Sequence, residues 1–421
     1  MYHAFNGLLV LESVGTEFYR FVIIMNLPPQ RPDEFSFTSR RLRDEPLETA
    51  TVLVEQFGQR AATSLGEAQA AAYLDGRLRR AGLKVSADGF EAPVGNGWDG
   101  VALALLMLVA VLLYRWSPVG ALLLALGALG VAVYCLRREG QPLLVERASS
   151  QNVIGTRALA QKPQKRVILL APLDAPPQMP SLLRLLHDGD RHLLGRVGAC
   201  GVIALLAVTG MTVGSYELRL ACWVGQALPL IYLLFAAGAD MWLRRAPASP
   251  GAVSHAGALA VLLDCAEELT VAEHTELWVV ALGASNTNSG LRDLLRRYPF
   301  EPARTRFIAL EGIGAGQLTY LSRVGLFPQQ ASDPKLLAHA AAADTADALI
   351  NAEPHAYRHS PTTLALLRQR GWQAVGLTCT GPDGQPPHRA SATDTPDALE
   401  AEVLDRAVRL AVAIVRRVDA E

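Results

Sequence analysis

The sequence predicts an α/β domain on a mixed or mostly parallel sheet, interrupted by four inserted transmembrane helices. Three observations carry this reading. From Ser150 onward, short apolar runs alternate with helical patterns, as expected for a sheet covered by helices. Between Val101 and Leu136, and again between Val197 and Leu243, the chain is almost purely Leu, Ala, Val and Gly, and about 20 such residues cross a hydrocarbon layer of ~30 Å. The composition is 50% hydrophobic before its 35 glycines are counted, richer than the roughly 45–50% (glycine included) of an ordinary soluble domain.

The apolar stretches read as two hairpins. The first joins Val101–Tyr114 to Val119–Leu136 across Arg115, Trp116, Ser117 and Pro118, and its first member is short for a span. The second joins Val197–Val213 to Leu220–Leu243 across Gly214, Ser215, Tyr216, Glu217 and Arg219. Leu103 to Leu113 lacks the polar stripe of a soluble amphipathic helix. Trp116, Tyr134, Trp223 and Trp242 stand near the ends, where aromatic rings favour the headgroup layer. Asp240 is an acid within the fourth run, and the nearby Arg244 and Arg245 are expected to draw it to the interface. The chain then divides into an N-terminal lead, expected to be partly disordered (1–44), domain segments 45–98, 139–194 and 246–421, and hairpins 99–138 and 195–245.

Charge and cysteine usage narrow the partners. With 39 basic and 40 acidic residues the net charge is -1, so no field points toward nucleic acid. The expected partner is the lipid bilayer. Arg137, Arg138, Arg191, Arg196, Arg244 and Arg245 flank the domain side of the hairpins, against Arg115 and Arg219 on the far loops; the positive-inside rule then places the polar domain in the cytoplasm of a multi-pass membrane protein. Five cysteines without a CxxC or a disulfide framework agree.

Residues 1–25 lack the pattern of a signal peptide, and Met25 is an alternative start. From Glu45 to Leu83 the pattern is helical with a break near Thr63. Ser64 and Glu67 form a capping-box signal, and Gly82 stops the helix. Strands are expected at Leu83–Phe90, Ser150–Thr156, Arg166–Leu170, Leu277–Leu282, Phe307–Leu310 and Ala374–Leu377. Helices are expected at Gly257–Leu269, Leu291–Arg297, Pro334–Leu349, Thr362–Gly371 and Leu399–Val418.

Three motifs carry a resemblance: Ser64-x-x-Glu67 before a helix that ends at Gly82, the strand Asn152-Val153-Ile154-Gly155, and His388 followed by Asp394-Thr395 before the last helix. In this the chain resembles the zinc-dependent exopeptidase family of bacterial leucyl aminopeptidases, glutamate carboxypeptidase II and glutaminyl cyclases (peptidase family M-twenty-eight). The resemblance runs from about Thr51 to the C-terminus once the hairpins are excised. It implies an aminopeptidase-like (phosphorylase/hydrolase-like) three-layer domain with a mixed central sheet.

The family's chemistry uses two zinc ions bridged by an Asp, with a Glu as general base. Carried over by position, the ligand His falls on Pro172, the bridging Asp on Val253, and the adjacent base and ligand on Ser285 and Asn286. Asp174, Glu311 and His388 remain as a vestigial site. The resemblance therefore implies a catalytically degenerate pseudopeptidase with no metal and no catalytic residue, acting as a binding or scaffold domain for a peptide or protein in the vacated cleft.

The other polar residues admit alternatives. His255 is either a replacement ligand or a helix-entry residue. His187, Asp188, Asp190 and His192 form either a metal cluster or a solvated juxtamembrane linker. His355 and His359 stand at i, i+4, but Pro354 and Pro361 bracket them and favour a loop. A working zinc hydrolase drawing on His187, Asp188, His255, Glu267 or Glu268 is the alternative enzyme reading. A channel component built from the four helices is a third reading, at odds with how few charged residues the runs contain.

Overall fold

The computed structural model describes residues 45–421 except 139–140, 159–162, 181–182, 185–188, 326–328 and 359–361. The N-terminal lead, His187, Asp188, the side chain of Asp190, and His359 lie outside the described residues.

Two helices open the domain, α1 (Pro46–Phe57) and α2 (Leu65–Arg80). Ser64 accepts the Glu67 N–H at 3.3 Å, as the capping signal predicts. Glu67 itself reaches past Ser64 to the Thr63 N–H at 2.7 Å. The strands are β1 (Lys84–Pro93), β2 (Arg147–Ala158), β3 (Lys165–Pro172), β4 (Thr275–Leu282), β5 (Thr305–Leu310), β6 (Gln317–Val324), β7 (Gln330–Ala331), β8 (Glu353–Tyr357) and β9 (Gln373–Thr380). They form one mixed sheet in the order β1-β2-β4-β3-β5-β9-β6-β7, with β8 added beside β6. Strands β4, β3, β5 and β9 run parallel to their neighbours in this block; β2 and β6 join it antiparallel.

Strand β3 shows why the centre is apolar on both faces. Val167, Leu169 and Ala171 face one hydrophobic cluster, and Ile168 and Leu170 face the other. The first cluster holds α1, α2, α8 (Gly257–Glu268), α10 (Pro334–Ala346) and the terminal α12 (Ala401–Ala420). The second holds α9 (Ser289–Arg297) and α11 (Thr363–Gln369). The domain thus has helices on both sides of the sheet.

Strands β6, β7 and β8 are absent from the sequence reading, because Thr319, Ser322 and Arg323 interrupt any apolar run in β6. His355 is accordingly corrected from a loop to strand β8. Pro354 is tolerated there because β8 is an edge strand, where a missing N–H costs no ladder bond.

The apolar runs form α3 (Asp99–Leu113), α4 (Pro118–Arg137), α5 (Gly189–Thr212), α6 (Tyr216–Gly225) and α7 (Ala227–Leu243). Among the described residues three helices are long and apolar enough to cross a membrane: Pro118–Arg137, Arg191–Thr212 and Tyr216–Leu243, the last comprising α6 and α7. Helix α3, expected to be short for a span, is a shorter apolar helix of 15 residues that extends about 22 Å at 1.5 Å each. Helix α3 packs on α4 and α7, and α5 on α4, α6 and α7. Ala104, Ala110, Ala125, Ala128, Ala132, Ala199 and Ala204 are buried at these contacts, the small residues that let apolar helices approach closely. Leu105, Leu123, Leu205, Leu228 and Ile231 point outward and are exposed.

Two expected interface roles change. Asp240 pairs with Arg196 of α5 at 2.6 Å, and both are buried. Arg244 instead lies over the Trp98 ring, 4.3 Å from its centroid. Trp223 donates to the Val111 carbonyl at 2.9 Å, so it ties α6 to α3.

Candidate functional site

Because β3, β4, β5 and β9 are parallel, their C-terminal ends share one edge, where open α/β sheets place their ligand crevice. Pro172 ends β3. The chain then turns through Leu173 and Asp174, both fully buried. After β4, Ser285, Asn286 and Thr287 form a single tight turn between Ala284 (φ 45°) and Asn288 (φ 53°). Glu311 follows β5 directly. Val253, Ser254 and His255 lie in a one-turn π-helix at the entry to α8.

A buried polar network underlies this edge. Asp174 accepts the Ser285 N–H at 2.7 Å and the Asn286 side-chain amide at 3.2 Å. Its backbone carbonyl meets Nδ1 of His255. Glu67 accepts from the Thr63 and Ala284 N–H groups and from the Ser150 hydroxyl, at 2.7, 3.0 and 3.0 Å. Arg60, with no exposed surface, donates to the Leu53 carbonyl at 2.7 Å and the Gly251 carbonyl at 3.3 Å, with Asp174 and Asp394 as its countercharges. Asp394 accepts the Val253 N–H at 2.6 Å and the Ser254 hydroxyl at 2.5 Å, holding the π-helix.

Above the network lies a cavity of about 310 Å³, lined by Pro172, His255, Ser285, Asn286, Glu311 and Thr363 among others. Glu311 accepts the Thr363 N–H at 2.9 Å, at the start of α11. The residues grouped as a vestigial site therefore separate. Glu311 lines the cavity and Asp174 is buried beneath it. His388 is exposed, outside that lining, with φ 58° and its Nδ1 at 3.0 Å from the Thr393 hydroxyl. Its position in a left-handed turn presents the next residue, Arg389, to the cavity instead. Glu67, Arg60 and Arg389 were not singled out from the sequence as site residues. Glu67 entered the sequence reading as part of a helix-start motif that also carries the resemblance, without a role in the site, and nothing local distinguishes the two arginines.

Burial, followed by repulsion from Asp174, pushes the Glu67 carboxyl up to about 7. Burial pushes Asp174 up to about 6 and His255 down to about 4. The folded chain holds protons on the two carboxyls that the unfolded chain releases near pH 4 (roughly). Their contribution to stability therefore falls as pH rises from about 4 to about 7. His255 acts with the opposite sign between about pH 4 and 6.5, since the unfolded imidazole binds a proton that the folded one refuses. Glu67→Gln removes one carboxyl and leaves His255 in place. The variant should gain on the native chain as pH rises from about 5 to about 8, read as the difference in melting temperature at each pH. A constant difference would contradict the assignment.

No family model and no curated relative matches the chain. Solved structures do. A zinc aminopeptidase from Bacillus subtilis aligns at 12% identity over 89% of this chain and 94% of that one, with a TM-score of 0.55. The aminopeptidase from Aneurinibacillus sp. strain AM-1 aligns at 13% over 88% and 92%, with a TM-score of 0.53. A glutaminyl cyclase from Fimbriiglobus ruber aligns at 11% over 92% and 99%, with a TM-score of 0.52. The fold is aminopeptidase-like.

The side chains at the strand ends of this aminopeptidase-like domain do not fit the two zinc ions that the resemblance to the zinc exopeptidases implies. Pro172 has no donor atom and Val253 is apolar. Ser285 and Asn286 are engaged with Asp174 through a backbone N–H and an amide. Glu311 is a single carboxylate, and His388 lies outside the cavity lining. Among the described residues no three of His, Cys, Asp or Glu converge to hold a metal ion.

Proposed function

We propose that this chain is a membrane-anchored, catalytically degenerate relative of the zinc aminopeptidases, a pseudopeptidase whose crevice binds a ligand or scaffolds a partner without zinc and without cleavage. One observation carries the proposal. At the end of β4, where hydrolysis would need a general base and a ligand, Ser285 and Asn286 hydrogen-bond to the buried Asp174. Neither a hydroxyl nor an amide takes up a proton at neutral pH, so neither can serve as the general base.

Anchoring is supported by the three long apolar helices and by the exposed leucines around them. A cytoplasmic domain is supported by Arg137, Arg138, Arg191, Arg244 and Arg245 on the domain side, although Arg196 is neutralised by Asp240. A reporter fused at Glu217 should be found on the opposite side of the membrane from one fused at Glu421; both on one side would defeat the multi-pass topology.

The catalytic half of the proposal is tested with detergent-purified protein, added zinc and leucine 4-nitroanilide. Release of nitroaniline should stay at the level of the zinc-only control. Turnover that a chelator abolishes would establish the enzyme reading instead.

A further inference from the structure

The strand-end cavity does not stop at the domain. It continues past residues 95–99 and 176–179 to the near ends of the apolar helices. There its wall is formed by Leu103 of α3, Val131, Ala132 and Cys135 of α4, Leu193 of α5 and Leu243 of α7, together with Asp99, His192 and the paired Arg196 and Asp240. One cavity thus joins a strand-end crevice rich in hydroxyl, amide and charged groups to a helix end where Leu, Val and Ala side chains flank a paired Arg196 and Asp240.

We propose that it holds a membrane phospholipid, with the phosphate headgroup in the strand-end crevice and the upper part of an acyl chain between the helices. This deepens the binding reading above and rests on it.

Three features select a lipid. The first is the helix-side wall: the apolar arm offers an acyl chain the side chains of Leu103, Val131, Ala132, Leu193 and Leu243, and the charges of Arg196 and Asp240 there are already paired with each other. The second is depth. Trp98 and Trp242 are 44% and 42% exposed, and exposed tryptophans mark the headgroup level. Trp98 immediately precedes Asp99, which lines the cavity, and Trp242 immediately precedes Leu243, which does too. The junction of the two arms therefore lies at the membrane surface. The short α3 agrees, because about 22 Å of helix leaves its cavity-lining first turn at the edge of the apolar layer. The third is charge. Within the lining, Arg196 is matched by Asp240 and Asp99 accepts the Leu143 and Leu144 N–H groups. Arg184, whose Nε donates to the Met179 carbonyl at 3.1 Å, and Arg389, whose charge acts on Glu311, also line it; a guanidinium has five donors, so each can engage phosphate oxygens beside its present partner. A volume of about 310 Å³ suits a headgroup and the start of one chain, near the lower end of ligand cavities; the remainder would lie along the exposed leucines.

The test uses the full chain in nanodiscs, with Cys135→Ala and Cys222→Ala to remove background labelling. Bimane is attached through Asn286→Cys, which faces the crevice, or through Val271→Cys, 81% exposed and preceding the start of β4 at the opposite edge of the sheet. The quencher is phosphatidylcholine carrying a nitroxide on its headgroup. Quenching should be at least threefold stronger at position 286 than at 271, and Val131→Trp, which narrows the apolar arm from a partly exposed position, should reduce it at least threefold with an unchanged melting temperature. Equal quenching at both positions overturns the proposal. So does bimane emission that responds to inorganic phosphate in lipid-free detergent but not to the nitroxide lipid, or to a soluble peptide alone; the first would indicate a free phosphate ligand and the second a peptide site. Chelator-sensitive hydrolysis of leucine 4-nitroanilide by the same preparation would overturn the pseudopeptidase reading, whatever the quenching shows.

Discussion

Replacing Arg196 with alanine should destabilise the helical bundle by about 3–5 kcal/mol, the usual cost of stranding one member of a buried ion pair. Arg196 of α5 and Asp240 of α7 meet at 2.6 Å with both side chains nearly inaccessible. Helix α3 lies directly against them: a Cβ built on Gly100 would stand 1.9 Å from the Asp240 carboxylate and 2.6 Å from the Arg196 guanidinium. Removing Arg196 takes from the buried Asp240 the countercharge it meets at 2.6 Å. The double variant Arg196→Leu with Asp240→Leu removes both charges and should recover most of the loss, because well-packed apolar replacements of buried pairs are often neutral. Thermal unfolding in detergent reads both outcomes. A single variant as stable as the native chain, or a double variant no better than the single, would contradict the pairing.

Asp174→Ala should cost about 3 kcal/mol or more, by leaving the Ser285 N–H unsatisfied and depriving the buried Arg60 of a nearby negative charge. Asp174→Asn separates the two contributions: its amide oxygen still accepts the Ser285 N–H, while the charge is gone. His388→Ala, by contrast, should stay within about 0.5 kcal/mol, as exposed positions generally do. Urea unfolding of the three variants checks the order. Equal losses at Asp174 and His388 would mean that the two act as one site, as their grouping by sequence implied.

The regular elements were legible where a single residue type sets the pattern. The continuous run Val167–Leu170 gave β3, and Ser64 with Glu67 gave the start of α2. Strands β6 and β8 were not legible, because edge and near-edge strands carry Thr, Ser, Arg and even Pro354 without disturbing the ladder. At the site, Pro172, Ser285 and Glu311, named by resemblance, all line the crevice. What the sequence could not carry was long-range partnership. Arg196 and Asp240 are 44 residues apart, and Asp394 holds Val253 from 141 residues away. The motif around His388 was informative through its Asp rather than its His, because the turn at His388 points that side chain to solvent while Asp394 enters the core. Helix α3 was marked as short, yet its role beside the cavity depends on where its first turn meets α4, α5 and α7.

The central claim is that the aminopeptidase-like crevice of this chain is not a zinc site. Elemental analysis of detergent-purified protein, after incubation with zinc and removal of the excess, tests it most directly. Near-zero zinc per chain is the expected result, unchanged in Glu311→Gln. Two tightly held zinc ions per chain would contradict it and return the chain to the metallo-hydrolases.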